Sequence, residues 1–151
     1  MRRRWGTASF LCTVLAASAV AAQPDATVTA TTADNGLDVL ITLEKSLERR
    51  RALTEAAMKA PIARLSWQQG RGEPEPLLQQ LAPRVYFAGV AVDLPPDAFL
   101  QPSAEGEAGL VASVTAYADG AKSIADLYSG CGTFTFPLAK VGKVAAFESA
   151  K

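Results

Sequence analysis

The pattern of apolar and polar side chains predicts a β-hairpin near the start of the chain. Residues 26–32 alternate β-branched and small side chains, as a half-buried strand does, and residues 37–43 (LDVLITL) predict the returning strand. Asp34-Asn35-Gly36, between the two runs, is a strong turn signal. We therefore predict a hairpin over residues 26–43.

Residues 44–59 are predicted to form a helix, because they contain no Gly or Pro and are rich in Leu, Arg, Glu and Ala. Pro61 would end this helix. The side chains expected on its apolar side are Leu43, Leu47, Leu53, Ala57 and Met58.

The segment that follows mixes strands with a loop. Residues 62–68 predict a strand, and residues 85–94 predict a pair of short strands bent at Gly89. Residues 69–83 carry Gly, Pro and charge, so we expect them to form a loop with a single helical turn.

The last third alternates helix and strand. Residues 104–118 predict a helix with Leu110, Val111, Val114 and Tyr117 on its apolar face. A strand, a glycine-bearing loop, a second helix and a second strand follow, which is the opening of a doubly wound α/β domain. The expected fold class is α/β, the start of a Rossmann-like sheet preceded by a smaller α+β segment. The predicted segments are residues 1–25, 26–94 and 95–151.

Residues 1–25 admit two interpretations. Three arginines at residues 2–4, an uncharged stretch over residues 5–22 and Ala19-Val20-Ala21 have the form of a secretory signal peptide. The stretch is too short and too Ala-rich for a membrane span of about 20 apolar residues. The alternative is an apolar helix that belongs to a cytoplasmic protein.

Composition removes several classes of chemistry. The 151 residues include no His, which excludes Ser-His-Asp and Cys-His catalysis and every His metal ligand. Two Cys, at positions 12 and 131, cannot form a four-thiolate metal site, so we expect no metal. The net charge of zero hides an asymmetry, +3 over residues 1–84 (11 basic, 8 acidic) and −3 over residues 85–151 (4 basic, 7 acidic). Arg49-Arg50-Arg51 could contact phosphate, although a solvated helix face is the commoner cause of such a run.

The glycine loop and Glu148 have the spacing of a nucleoside site. In doubly wound folds the ligand lies beyond the carboxyl end of the first strand, and an acidic residue about 20 positions further on accepts hydrogen bonds from the ribose. Glu148 follows Asp126 by 22 residues and Gly130 by 18 residues. This spacing predicts an adenosine-type cofactor.

The loop departs from the dinucleotide and P-loop fingerprints. Gly130 and Gly132 match the first two glycines of G-x-G-x-x-G, but the third position is Thr135, and no phosphate-binding Lys follows. The form D-x-x-x-G-x-G looks like the first motif of class I S-adenosylmethionine-dependent methyltransferases. An ordinary strand–turn–helix in an unrelated α/β protein is the simpler alternative.

Two sequence blocks narrow the resemblance to one family. Residues 126–134, DLYSGCGTF, are very similar to the D-L-[F/Y]-x-G-x-G-[N/T]-F block of the RNA (uracil-5-)-methyltransferases. Residues 95–101, PPDAFLQ, match that family's upstream Pro-Pro-x-x-Phe-x-Gln block. The resemblance is clear over residues 85–151 and weaker over residues 26–84.

The resemblance implies S-adenosyl-L-methionine as cofactor and rRNA or tRNA as the partner, with no membrane. Gln101 and Tyr128 would contact the cofactor, Gly130 and Gly132 would allow its close approach, and Glu148 would hold the ribose hydroxyls. Thr133 stands where many members have Asn. Helix capping by Gln101 and plain core packing by Tyr128 are the alternatives. Asp126 is expected to shape the loop.

In this family a Cys thiolate adds to C6 of uracil, and C5 then attacks the methyl group. The family's nucleophile and base lie downstream of the second strand, so Cys131 is expected to be a packing residue. The chain therefore resembles an internal part of a cytoplasmic enzyme, inactive alone. Two other hypotheses remain: an exported, non-enzymatic α/β protein, and a methyltransferase-like fold that binds another nucleoside.

Overall fold

The computed structural model describes residues 26–47 and 50–149. These residues form two compact units. The first contains residues 26–47, 50–85 and 93–97, and the second contains residues 86–92 and 98–149. The predicted leader, Cys12 and Arg49 lie outside the described residues.

The first unit is built on a four-stranded sheet. Its strands are β1 (Thr27–Ala33), β2 (Gly36–Leu43), β3 (Ile62–Gln69) and β4 (Glu75–Gln79), in the order β1-β2-β3-β4. β1 and β2 form the predicted antiparallel hairpin. β2 and β3 are parallel and are connected through helix α1 (Arg50–Ala57), whereas β3 and β4 are antiparallel.

The core of this unit lies between the sheet and α1. It contains alternate residues of β2, Leu47 of the connection, and side chains of α1 and β3: Leu37, Val39, Ile41, Leu43, Leu47, Leu53, Ala57, Ile62, Leu65 and Trp67. Four of the five side chains predicted for the apolar side of the helix are therefore buried. The expectation for Met58 was wrong, because this side chain is 62% exposed.

The helix is shorter than predicted at its start. Residues 44–47 are not helical, because the chain there is still bound to the end of β3. The Gly70 N–H donates to the Leu43 carbonyl (2.8 Å), and Gln69 Nε2 donates to the Glu44 carbonyl (3.0 Å). Long-range hydrogen bonds thus override the local helical pattern.

Strand β4 corrects the loop predicted for residues 69–83. Its Pro76 lacks an N–H, which an edge strand tolerates, and it lies opposite Ser66 next to a register shift. The side chain of Glu75 accepts a hydrogen bond from Trp67 Nε1 (3.1 Å). This strand is defined by its long-range contacts with β3 and not by a local sequence pattern.

Within the arginine run, Arg50 and Arg51 are engaged inside the chain. The guanidinium of Arg50 lies 4.4 Å from the ring centroid of Trp67, a cation–π contact, and 3.5 Å from Glu75. Arg51 pairs with Glu55 (2.8 Å) one helical turn away. Phosphate contact by this run stays a prediction.

A second hairpin, β5 (Arg84–Phe87) and β6 (Val90–Asp93), confirms the predicted pair of short strands. Ala88 (φ 51°) and Gly89 (φ 91°) make the turn. The guanidinium of Arg84 binds Asp93 at the base of the hairpin (2.6 Å) and holds the pKa of that carboxyl below its ordinary value.

The second unit contains a β–α–β arrangement. Helix α2 (Ala104–Tyr117) precedes β7 (Ser123–Leu127), α3 (Thr135–Leu138) and β8 (Lys143–Phe147), and β7 and β8 are parallel. This order confirms the predicted alternation and the α/β fold class. None of the helices in the described part of the chain is both long and apolar enough to span a membrane.

The predicted apolar face of α2 is not formed as expected. No residue of α2 is buried, and Leu110 and Tyr117 are 45% and 94% exposed. In the described residues, α2 packs against α3 without enclosing this face.

Candidate functional site

The loop that follows β7 turns back toward the end of β8. Tyr128 (φ 59°), Gly130 (φ 54°) and Gly132 (φ 90°) adopt left-handed backbone conformations. The Ser129 N–H donates to the Phe147 carbonyl (3.1 Å), and the Gly132 N–H donates to the Ser129 carbonyl (2.9 Å). The loop is thereby folded into a tight turn at the carboxyl ends of the two parallel strands.

Gly132 is required by close packing as well as by its dihedral angle. A Cβ atom at this position would lie 2.4 Å from Cε2 of Phe136, far inside van der Waals contact. At Gly130, in contrast, a Cβ atom would meet nothing within 4 Å. The absence of a side chain at Gly132 therefore allows the loop to pack against Phe136 of α3. At Gly130 it leaves open space beside the backbone.

Replacing Gly132 by alanine should destabilise the chain by about 2 kcal/mol or more, because strain at a positive φ is added to the clash with Phe136. Urea unfolding measures this loss. The matched control is Gly109→Ala, in α2, where a Cβ atom meets nothing within 4 Å and the change should stabilise by about 0.5–1 kcal/mol. Equal effects of the two substitutions would contradict the packing role of Gly132.

Glu148 and the loop are in direct contact. Glu148 Oε2 accepts a hydrogen bond from the Gly130 N–H (2.6 Å), and its Oε1 accepts one from the Ser149 N–H (2.7 Å). Two residues singled out by their 18-residue spacing are thus adjacent in space. The carboxylate is held at the loop by backbone donors of both the loop and its own strand end.

Asp126 shapes the loop, as expected. Its Oδ2 accepts a hydrogen bond from the Thr135 hydroxyl, which links the end of β7 to the start of α3. Thr135 occupies the third position of the dinucleotide fingerprint, where that fingerprint has a glycine. We missed this role, and the signal that could have revealed it was a hydroxyl side chain nine residues after a strand-borne carboxylate.

The remaining predicted residues are more dispersed. Tyr128 is 81% exposed, so the alternative of core packing was wrong. Ser103, with Oγ accepting from the Gly106 N–H (3.0 Å), caps α2, so capping by Gln101 was also wrong. Among the described residues, no hydrogen bond joins the Gln101 side chain to the loop. Thr133 is half-buried and lines a cavity of about 360 Å³ whose wall also includes Lys140.

Cys131 lies within the loop but is not an activated thiol. Burial raises the pKa of the Cys131 thiol, and the nearby carboxylate of Glu148 raises it further. Because the thiolate is the reactive form, a raised pKa reduces the reactive fraction at neutral pH. This environment agrees with the expectation of a packing residue.

In a Cys12→Ser variant, a thiol-reactive probe should modify Cys131 more slowly at neutral pH than it modifies free cysteine. The rate should continue to rise at pH values where that of free cysteine has levelled off, because the raised pKa displaces the profile upward. Stopped-flow labelling across a pH series measures both quantities. A profile displaced to lower pH would contradict the described surroundings of the thiol.

The geometry suits a nucleoside more than a phosphate group. Glu148 presents a carboxylate, the acceptor that paired ribose hydroxyls need, beside the open space at Gly130. Exposed apolar surface lies close by in the chain, since Leu127, Tyr128 and Phe147 are 64%, 81% and 57% exposed. The residues present therefore fit the adenosine part of the predicted cofactor.

Sequence comparison identifies relatives among bacterial RNA methyltransferases. A protein of Brucella melitensis named an uncharacterized RNA methyltransferase is 38% identical over 122 residues, or 80% of this chain and 28% of the relative. Proteins with the same name in Zymomonas mobilis and Rhizobium meliloti are 38% identical over 120 residues and 34% identical over 137 residues. These two alignments cover 78% and 89% of this chain, and 30% and 32% of the respective relatives. By sequence, the chain belongs to this RNA methyltransferase family. It spans less than a third of the length of these members.

Structural comparison shows the same fold. Pyrococcus abyssi tRNA (uracil-54, C5)-methyltransferase, in complex with S-adenosyl-L-homocysteine, has a TM-score of 0.57 at 23% identity, over 82% of this chain and 32% of that one. The M. jannaschii tRNA m1G37 methyltransferase has a TM-score of 0.57 at 16% identity, over 94% and 45%. The fold is that of class I methyltransferases. No protein-family model matches the chain. Membership of the family does not favour the exported, non-enzymatic alternative.

Proposed function

We propose that the second unit binds S-adenosyl-L-methionine and serves an RNA methyltransferase that modifies C5 of uridine in rRNA or tRNA. The observation that carries this proposal is the hydrogen bond between Glu148 and the backbone of Gly130. It joins the acid and the glycine loop that a nucleoside cofactor requires at the carboxyl ends of two parallel strands.

Each predicted residue has a role in this proposal. Glu148 accepts hydrogen bonds from the ribose hydroxyls, and the open space at Gly130 admits the cofactor close to the backbone. Tyr128 offers an exposed ring at the end of β7. Gly132 keeps the loop packed on α3. Gln101, which precedes α2 in the chain, and Thr133, which follows it in the glycine loop, also contact the cofactor. When bound, the cofactor supplies the methyl group.

The choice of uridine C5 rests on the sequence blocks at residues 95–101 and 126–134, and on the name of the tRNA (uracil-54, C5)-methyltransferase that shares the fold. The reaction needs a Cys thiolate that adds to C6 of uracil. Cys131 does not suit this task, because its thiol pKa is raised and it lies in the cofactor loop. We therefore expect the chain alone to incorporate no labelled methyl group into RNA.

Binding of the cofactor is tested by nuclear magnetic resonance, which detects weak association and locates it. Titration with S-adenosylhomocysteine into the isotope-labelled chain should shift the amide signals of Gly130 and its loop neighbours, while those of β1–β4 stay unchanged. NAD is the matched control ligand, because Thr135 occupies the third glycine position of the dinucleotide fingerprint. Equal shifts with NAD, or none with S-adenosylhomocysteine, would refute the proposed cofactor.

We also propose a cytoplasmic location, where rRNA and tRNA are found. The alternative is export with cleavage of the stretch over residues 1–22. The mass of the protein recovered from its host distinguishes the two, because export would remove about 20 residues from the N-terminus.

A further inference from the structure

A hydrogen bond between two side chains joins the two ends of the glycine loop, residues 128–134. The Thr135 hydroxyl donates to Oδ2 of Asp126. Asp126 lies one residue before the end of β7, and Thr135 is the first residue of α3, so this bond closes the loop at its base. Both residues are half-buried, and a hydrogen bond that is partly shielded from water is electrostatically stronger than one in bulk water.

The Thr135 hydroxyl does not serve as a helix cap. A hydroxyl residue at the start of a helix usually accepts a hydrogen bond from a backbone N–H of its own helix. Phe134, at the N-cap position of α3, makes no side-chain cap, and the Thr135 hydroxyl donates away from the helix to a strand residue. Its contact therefore serves the connection between β7 and α3 rather than the end of the helix.

The loop has to be held, because one of its residues is in a strained conformation. Tyr128 has a side chain, yet its φ is 59°. A residue other than glycine keeps such a conformation only where the surrounding structure over-determines it. The Ser129 N–H, on the next residue, donates to the Phe147 carbonyl (3.1 Å), and Asp126, two residues before Tyr128, is bound to Thr135. The chain is thus held on both sides of the strained residue.

The same bond bears on the contact between Gly130 and Glu148. The Gly130 N–H lies 2.6 Å from Glu148 Oε2, and a hydrogen bond this short requires a well-defined position of its donor. Gly130 is two residues beyond Tyr128, so a loop released at its base would carry this N–H away from the carboxylate. Thr135 therefore acts, through the loop, on residues that are assigned to the cofactor.

We propose that Thr135 is a positioning residue for S-adenosyl-L-methionine. By binding Asp126 it fixes the base of the glycine loop, and so holds the Tyr128 ring and the Gly130 N–H where the ligand needs them. This inference rests on the proposed function of the loop and Glu148. Every contact it uses lies within the second unit. It gives a role to the residue at which the loop departs from the dinucleotide fingerprint, since a glycine there would have no hydroxyl to donate.

The test is Thr135→Val in the full chain, which keeps the branched shape of the side chain and removes the hydroxyl. The affinity for S-adenosylhomocysteine should fall about tenfold, less than the loss of about a hundredfold that a misplacement of about 1 Å can cause. In the ligand-free chain, the amide proton signal of Gly130, displaced downfield by its bond to a carboxylate, should move upfield. Both quantities are measured well below the unfolding temperature of the variant, while the amide signals of β1–β4 stay unchanged.

Two further variants show whether the hydroxyl itself is responsible. Thr135→Ser retains a hydroxyl and should recover both the affinity and the position of the Gly130 signal. The matched control is Thr115→Val, in α2, which removes a hydroxyl that donates to the Val111 carbonyl of its own helix (2.7 Å). This control should change neither quantity.

The outcomes separate this inference from the proposed function. If the wild-type chain does not bind S-adenosylhomocysteine, the proposed function fails and the positioning role fails with it. If the wild type binds and Thr135→Val binds equally well, only the positioning role is overturned. It is likewise overturned if Thr135→Ser does not restore binding, or if binding falls while the Gly130 signal stays in place, because the effect would then not act through the loop.

Discussion

Replacing Glu148 by alanine should abolish the binding of S-adenosylhomocysteine by the chain. The substitution removes the proposed acceptor for the ribose hydroxyls and also the acceptor that holds the Gly130 N–H at 2.6 Å. Both the ligand contact and the shape of the loop are lost together. Titration followed by the amide signals of the loop measures the effect.

Two further variants make this result specific. Glu148→Gln keeps one side-chain oxygen, so it should preserve the contact with Gly130 while weakening the paired acceptance of two hydroxyls. Binding by this variant should be intermediate. Glu105→Ala, an exposed acid at the start of α2, should bind as the wild type does. Unchanged binding by Glu148→Ala would remove Glu148 from the site.

Arg64 and Asp38 form a buried, bidentate ion pair, in which Arg64 Nε and Nη2 donate to the two Asp38 oxygens (2.9 and 2.6 Å). Replacing Arg64 alone by methionine should destabilise the chain by about 3–5 kcal/mol, because it leaves the Asp38 carboxylate buried without its partner. The double variant Asp38→Leu/Arg64→Met should lose less, because no buried charge remains and the Leu94 carbonyl is the acceptor left without its donor. Urea unfolding at neutral pH measures both. With Asp38→Leu measured as the second single variant, the difference between the double variant and the sum of the two single variants is the coupling between the side chains.

Arg51→Met provides the control for the loss of an arginine as such. Its partner is exposed, so the change should stay within about 1 kcal/mol of the wild type. Equal stability of Arg64→Met and the wild type would show that the Asp38 carboxylate is solvated in the folded state.

The features that the sequence predicted well are the local ones. Asp34-Asn35-Gly36 specifies the first hairpin, and the run over residues 126–134 specifies a strand, a glycine turn and the start of a helix. The spacing of Gly130 and Glu148 placed both residues at the carboxyl ends of adjacent parallel strands, since the first crossover of such folds has a nearly fixed length. Their contact follows from that topology.

The features that were missed depend on partners far away in the chain. β4 exists because Glu75 and its neighbours pair with β3, and α1 starts late because residues 43–44 bind the end of β3. Asp38 and Arg64 are 26 residues apart and meet only because a bulge shifts the register by one residue. No local periodicity encodes such a shift, so the hydrogen bond from Arg64 Nη1 to the Leu94 carbonyl could not be predicted either.

The exposed β7–β8 pair has a consequence for handling the protein in solution. In the described part of the chain both strands are edges, and Leu127 and Phe147 at their ends are more than half exposed. Parallel strands are usually covered on both faces, and an uncovered apolar edge is a template for pairing with another molecule. Sedimentation of the isolated chain should accordingly depend on concentration, and dilute samples will be needed wherever monomeric behaviour is assumed.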